Sequence, residues 1–163
     1  MLQYQQAKAE MLAHFKYWFE SGLTVGIPGE FGPLVLNKRG GTVPYTPKVQ
    51  WEQVEPIDSY DTNEHWLRFN SQDTDTKQDA FAQDENVVLH ESIGLIIVQL
   101  FFSKSSYNFS DCNKLKRICQ KAFQRKRTPN GVWFKNSTII DLSEESVFFR
   151  ANVNAEYTYN SRN

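Results

Sequence analysis

The stretch IGLIIVQLFF, residues 93 to 102, limits what this chain can fold into more than any other. Eight of its ten residues are large hydrophobes, interrupted only by Gly94 and Gln99. It is too short for a membrane-spanning helix, which needs about 20 apolar residues. Fully burying each large side chain is worth ~1.5–3 kcal/mol, so the run must be covered. Read as a strand, alternate side chains point to opposite faces. Ile93, Leu95, Ile97 and Phe101 then share one face, and Ile96, Val98, Leu100 and Phe102 share the other. Both faces need a lid, and 163 residues must supply both or borrow one from a neighbour.

The length fits one domain spanning 1–163, with 40% hydrophobic and 14% aromatic residues available for a core. The opening MLQYQQAKAEMLAHF is amphipathic and does not read as a secretory leader, which points to a protein made and kept, or assembled, in a cytoplasm. Cys112 and Cys119 lie seven apart in a helical pattern, a separation of about 10 Å along a helix axis. That is too far for a disulfide, and both read as small buried hydrophobes.

Residues 2–20 read as a helix, with Met11, Phe15, Trp18 and Phe19 on one stripe and Gly22 placed to end it. Residues 22–47 hold six of the eight glycines and four of the six prolines, and read as a long arm containing a hairpin. Strands are expected at 48–54, where Val49 and Trp51 share a side, and at 64–70, followed by a polar, acidic, exposed loop at 71–86. The long apolar strand begins near Val87. A helix follows within 108–131, with Cys112, Leu115, Ile118, Cys119, Ala122 and Phe123 as its apolar stripe. Ser110 reads as its N-cap, Asp111 suits its first turn, Arg125, Lys126 and Arg127 crowd its last turn, and Pro129 stops it. One or two short strands occupy 131–142. The closing segment alternates, with Val147, Phe149, Ala151, Val153, Ala155, Tyr157 and Tyr159 inward, and Arg150, Asn152, Asn154, Glu156 and Thr158 outward. This order predicts an α+β domain: a mainly antiparallel mixed sheet of four to six strands, two packed helices and long loop arms. The second helix can cover one face of the apolar strand; the other has no equally clear lid beyond the first helix and the arm.

The formal net charge of -1 hides a segregated chain. From Glu55 to Glu91, ten acids stand against Arg68 and Lys77; from Lys104 to Lys135, nine bases stand against Asp111. The plain reading is a solvated helix face, paired in part with the acidic loop of the same subunit. The sharper one is a head-to-tail interface that closes a ring and is sensitive to salt.

Catalytic and metal-binding patterns are not found in the sequence. His14, His65 and His90 form no HExxH or HxxxH pair, there is no Cys-x-x-Cys, and GIPGEFG lacks the ending of a phosphate loop. His90 beside Glu91 and Ser92 reads as a polar pair and not as part of a triad. The expectation is a non-enzyme without cofactor or metal. Lys114, Lys116, Arg117, Lys121, Arg125, Lys126 and Arg127 form a candidate phosphate-contacting row, but no nucleic-acid motif frames it, and the aromatic residues fall on core faces.

The segments VQWEQVEPIDSYDTNEHWLRFN, GLIIVQLFFSK, AFQRKR, GVWFKNSTIIDL and FFRANVNAEYTY, in this order over about residues 5 to 159, resemble the tail-terminator (tail-completion, minor tail) proteins of long-tailed bacteriophages. The long arm at 22–47 and the acidic expansion at 71–85 depart from that pattern. The resemblance implies a virion protein of the tail or neck, assembled in the host cytoplasm. It would form a ring, a hexamer in that family, that caps the tail tube, ends tube polymerisation and joins the tail to the head connector. Implied partners are a second copy of the chain, the tube protein and a connector or neck protein, with DNA passing unbound through the lumen and no membrane involved. Lys116, Arg117, Lys121 and Arg125 are then expected at a subunit boundary or the lumen, with Asp73, Asp75 and Asp79 opposite them or against the tube, and Glu30 and Phe31 of the arm at the same interfaces. The alternatives are another phage neck or connector protein, or a small nucleic-acid-binding module using the basic helix at 110–127.

Overall fold

A computed structural model describes residues 3–38, 43–52, 60–81, 88–145 and 147–162. The chain folds as an α+β protein of two helices and two sheets. Helix α1 spans Tyr4–Val25 and α2 spans Phe109–Phe123. Strands β1 (Leu36–Asn37) and β2 (Pro44–Tyr45) make a small antiparallel pair inside the Gly/Pro-rich arm. The main sheet comprises β3 (Lys48–Gln50), β4 (Trp66–Phe81), β5 (Val88–Ser103), β6 (Trp133–Asp141) and β7 (Phe148–Arg162), in the order β3-β4-β5-β7-β6. Every pairing in it is antiparallel except the short parallel contact of β3 with β4.

The apolar run is the inner part of β5, flanked by β4 and β7 along nearly its whole length. Its even-numbered face is covered: Ile96, Val98 and Leu100 are completely buried and Phe102 nearly so. Both helices lie on this side. Met11, Phe15 and Phe19 of α1 are buried, and Phe15 stacks on Phe69 of β4 at 5.2 Å and on Phe123 of α2 at 5.5 Å. All six residues of the α2 stripe are buried, as are Ala151, Val153, Ala155, Tyr157 and Tyr159 of β7. Val147 and Phe149, expected inward, are 38% and 37% exposed, because the register of β7 carries them past the ends of the helices.

Several expectations need correction. The acidic stretch is not a loop: residues 71–81 continue β4 and pair with the outer half of β5, with register shifts between Asp73 and Asp75 and between Gln78 and Ala80. A strand needs backbone partners more than apolar side chains, and the long β5 supplies them; residues 82–86 of the expected loop lie outside the described residues. Gly22 does not end α1. It is buried within the helix, where a Cβ would collide with Ile118 of α2, so it permits the close crossing of the two helices. The helix ends at Gly26, whose φ of 81° suits glycine. The α2 N-cap is Asn108, whose Oδ1 accepts from the Asp111 N–H at 3.1 Å; Ser110 lies inside the helix. The helix stops at Phe123, six residues before Pro129, so Arg125, Lys126 and Arg127 are not in its last turn. Arg125 takes a positive φ of 53°, and Arg127 bridges to Trp133. The expected strand at 48–54 is only three residues long; Trp51 follows it, still packed on the core with Val49, and residues 53 and 54 lie outside the described residues. Trp18, placed on the buried stripe of α1, is 37% exposed.

Candidate functional site

The charged residues expected at an interface fall into two groups. Lys116 pairs with Asp141 at 2.8 Å, and its Nζ lies 5.9 Å from the Phe102 ring. Arg117 makes a forked pair with Glu30, from Nε to Oε1 at 2.7 Å and from a terminal nitrogen to Oε2 at 3.2 Å. That hydrogen bond holds the Glu30 carboxyl below its usual range. Glu30 and Arg117 thus meet each other inside one subunit, and each half-exposed pair is worth at most about 1 kcal/mol. Phe31 bridges back to Ile27 and packs on the core, with Lys114 Nζ 5.8 Å from its ring. Asp73 lies opposite Gly94 on the helix side, where it accepts from the hydroxyls of Tyr157 and Tyr159. Burial raises both tyrosines, Tyr159 to about 12, so they remain neutral donors. Asp75 falls opposite Ile93, and Asp79 belongs to the far part of β4. The acidic strand and the basic helix therefore do not neutralise each other: the partners of Lys116 and Arg117 are Asp141 and Glu30. Lys121 and Arg125 make no ion pair among the described residues.

Three features were not anticipated. The first is a cavity of about 320 Å³ between the C-terminal ends of the two helices. Trp18, Val25, Ile27 and Ile118 give it an apolar lining, and Lys121 and Lys126 stand at its edge. Lys126 Nζ sits 3.5 Å from the centre of the Trp18 ring and donates to the Lys121 carbonyl at 2.6 Å. Burial, with Lys121 nearby, lowers the Lys126 amine to about 8. The exposed Trp18 was the only sign of this cavity in the sequence, and the helical stripe gave it to the core.

The second is a buried His65–Cys112 contact, Nε2 to Sγ at 3.8 Å. A histidine beside a thiol invites a catalytic reading, but the protonation states oppose it. The Ser103 N–H donates to His65 Nδ1 at 2.8 Å, so the proton of the neutral ring is on Nε2, facing the sulfur. Burial lowers His65 to about 4 and raises Cys112 to about 11. Both groups stay neutral, whereas thiol chemistry requires the thiolate. Among the described residues no group of three or more His, Cys, Asp or Glu is placed to hold a metal.

The third is the second face of the sheet. Both helices are on the other side, and Ile93, Leu95 and Ile97 of β5 remain half-buried. At one end of this face, Phe101 stacks flat on Trp66 at 3.9 Å, with Arg150 4.9 Å and Arg68 5.7 Å from the Phe101 ring. Beside the aliphatic row run Asn152 and Asn154 of β7, which face Gln99 and Ile97. Four buried polar atoms here lack a hydrogen-bond partner: Trp66 Nε1, Arg150 Nε, Asn152 Oδ1 and Asn154 Oδ1. Buried polar atoms are normally bonded. Both sheet margins also hold open backbone: β3 covers only residues 66–68 of β4, and β6 is the outermost strand on the other side.

The fold and its surfaces define a two-helix α+β protein with one covered and one uncovered sheet face. No family model matches the chain, and no curated protein matches it in sequence.

Proposed function

We propose that this protein is a structural subunit that closes into a ring, of the kind that caps the tail tube of a long-tailed bacteriophage. In that role it ends tube growth and offers a surface to the head connector, with DNA passing through the lumen. The work is done by fitted surfaces and needs no bond-making chemistry. One observation carries this reading. The most apolar strand of the chain has a lid of helices on one face and only half-buried Ile93, Leu95 and Ile97 on the other, with four orphaned polar atoms on that same face. A neighbouring subunit would cover the aliphatic row and offer partners to those atoms. The open margins of β4 and β6 supply further attachment, since an unpaired edge is a template for another strand. The order of segments shared with tail-terminator proteins is what directs the ring to a tail.

The test is the mass of the purified protein in solution at low and high salt, with electron microscopy of the particles and addition to polymerising tube subunits. The expected outcome is a ring at low salt that arrests tube growth. Replacing Ile97 by Lys, which a half-exposed site tolerates in a folded monomer, is expected to abolish assembly while leaving the far-UV spectrum unchanged. A monomer at every salt concentration overturns the reading.

A further inference from the structure

The cavity between the helix ends is apolar inside and cationic at its edge, and nothing in the same subunit supplies its counter-charge. Arg117 and Lys116 on the same helix are already paired, whereas Lys121 makes no ion pair and Lys126 is held over the Trp18 ring, half stripped of water. A cavity of this size accepts one large side chain, and the two amines at its edge favour an occupant flanked by carboxylates. The chain itself contains such a segment. Residues 73–81 read DTDTKQDAF: three aspartates against one lysine, closing on Phe81 at the end of β4.

Within one molecule the two cannot meet. Lys8 of α1 donates to the Ser71 carbonyl, and seven residues further on Phe15 stacks on Phe69, so α1 runs back along β4 toward its start. The cavity lies beyond that, about 21 Å along α1 from Lys8 to Gly22. Phe81 lies in the opposite direction, about 33 Å of strand from Ser71.

We infer that the cavity lined by Trp18, Val25, Ile27 and Ile118 is the socket for the end of the β4–β5 hairpin of a second copy, with Phe81 as the apolar anchor and Asp79 set against Lys121 and Lys126. The contact is heterologous, socket to hairpin, and therefore propagates around a ring. It rests on the ring reading and names the surfaces that join one subunit to the next. Opposite charges on the two sides fix which end meets which and weaken as salt rises.

The experiment uses the full chain by sedimentation velocity at low salt. The wild type is compared with a socket variant, Lys121→Glu, a hairpin variant, Asp79→Lys with Phe81→Ala, and an equimolar mixture of the two variants. Each variant alone is expected to be monomeric at a concentration where the wild type assembles. The mixture is expected to form dimers and nothing larger, because the hairpin of the socket variant fits the socket of the hairpin variant and no second contact remains. Ser21→Trp, which fills the cavity from its edge, replaces Lys121→Glu if that variant loses its far-UV spectrum. Variants that assemble like the wild type, or a mixture that stays monomeric, overturn the inference and leave the ring standing. A wild type that never assembles overturns the ring and this contact with it.

Discussion

Gly94 shows how one position ties the central strand to the acidic one. It breaks the apolar run of β5, and a Cβ there would collide with the Tyr157 ring and the Gln72 carbonyl. Tyr157 is completely buried and reaches across this gap to Asp73. Gly94→Ala is therefore expected to destabilise the fold by ~1–3 kcal/mol, the usual cost of overpacking, read as a lower urea midpoint. His65 has its effect through pH. Its folded value is lowered to about 4 from an ordinary 6.5, so below pH 6.5 the unfolded chain binds the proton and the folded one does not. The stability this neutral, buried ring contributes is complete above pH 6.5 and is lost as pH falls through that window toward 4, to the extent of about 3 kcal/mol. His65→Asn keeps an acceptor for the Ser103 N–H and removes the titration. The expected result is that the wild type loses about 3 kcal/mol more than His65→Asn between pH 7 and 4 in urea unfolding. Neither residue's role was legible beforehand. Gly94 read as an interruption and His65 as a flank, because the neighbours that define them are 63 and 38 residues away in the chain.

At the scale of elements, helices and long apolar strands were the easiest to read. The stripe of α2 is buried as its 3.6-residue period requires, and the alternation of β7 places Ala151, Val153 and Ala155 in the core. Termini were harder, since a cap depends on where a side chain points. Asn108 caps α2 and Ser110 does not. Asn108→Ala is expected to cost about 1 kcal/mol and Ser110→Ala almost nothing, measured by the same unfolding midpoints. The outer half of β4 was missed for a different reason. Gln72, Thr74 and Thr76 have no apolar periodicity to reveal a strand, and what makes it one is hydrogen bonding to a β5 that extends beyond the helices. Gly22 was misplaced as a stop because the sequence cannot show that Ile118 lies against it.

For the whole molecule, charge segregation was visible in the sequence, but its pairing was not. Lys116 and Arg117 find Asp141 and Glu30, from segments on either side of α2 in the chain, and the acidic strand extends away from the basic helix. That leaves cations at one end of the molecule and carboxylates toward the other, a polarity that suits head-to-tail assembly and gives it a salt dependence. The uncovered sheet face adds a term that salt does not screen, since covering Ile93, Leu95 and Ile97 depends on apolar area. Raising salt is therefore expected to weaken the proposed ring in the solution-mass experiment without erasing all association.

The sequence by itself determined the fold class, the two helices and the demand for two lids on β5, because hydrophobic periodicity is a local property that each segment carries alone. Only the tertiary structure decided that both helices share one face, that the acidic stretch is a strand and that a cationic cavity opens between the helix ends. Those outcomes depend on which distant segments come into contact, and contact between distant segments leaves no periodic mark in the chain.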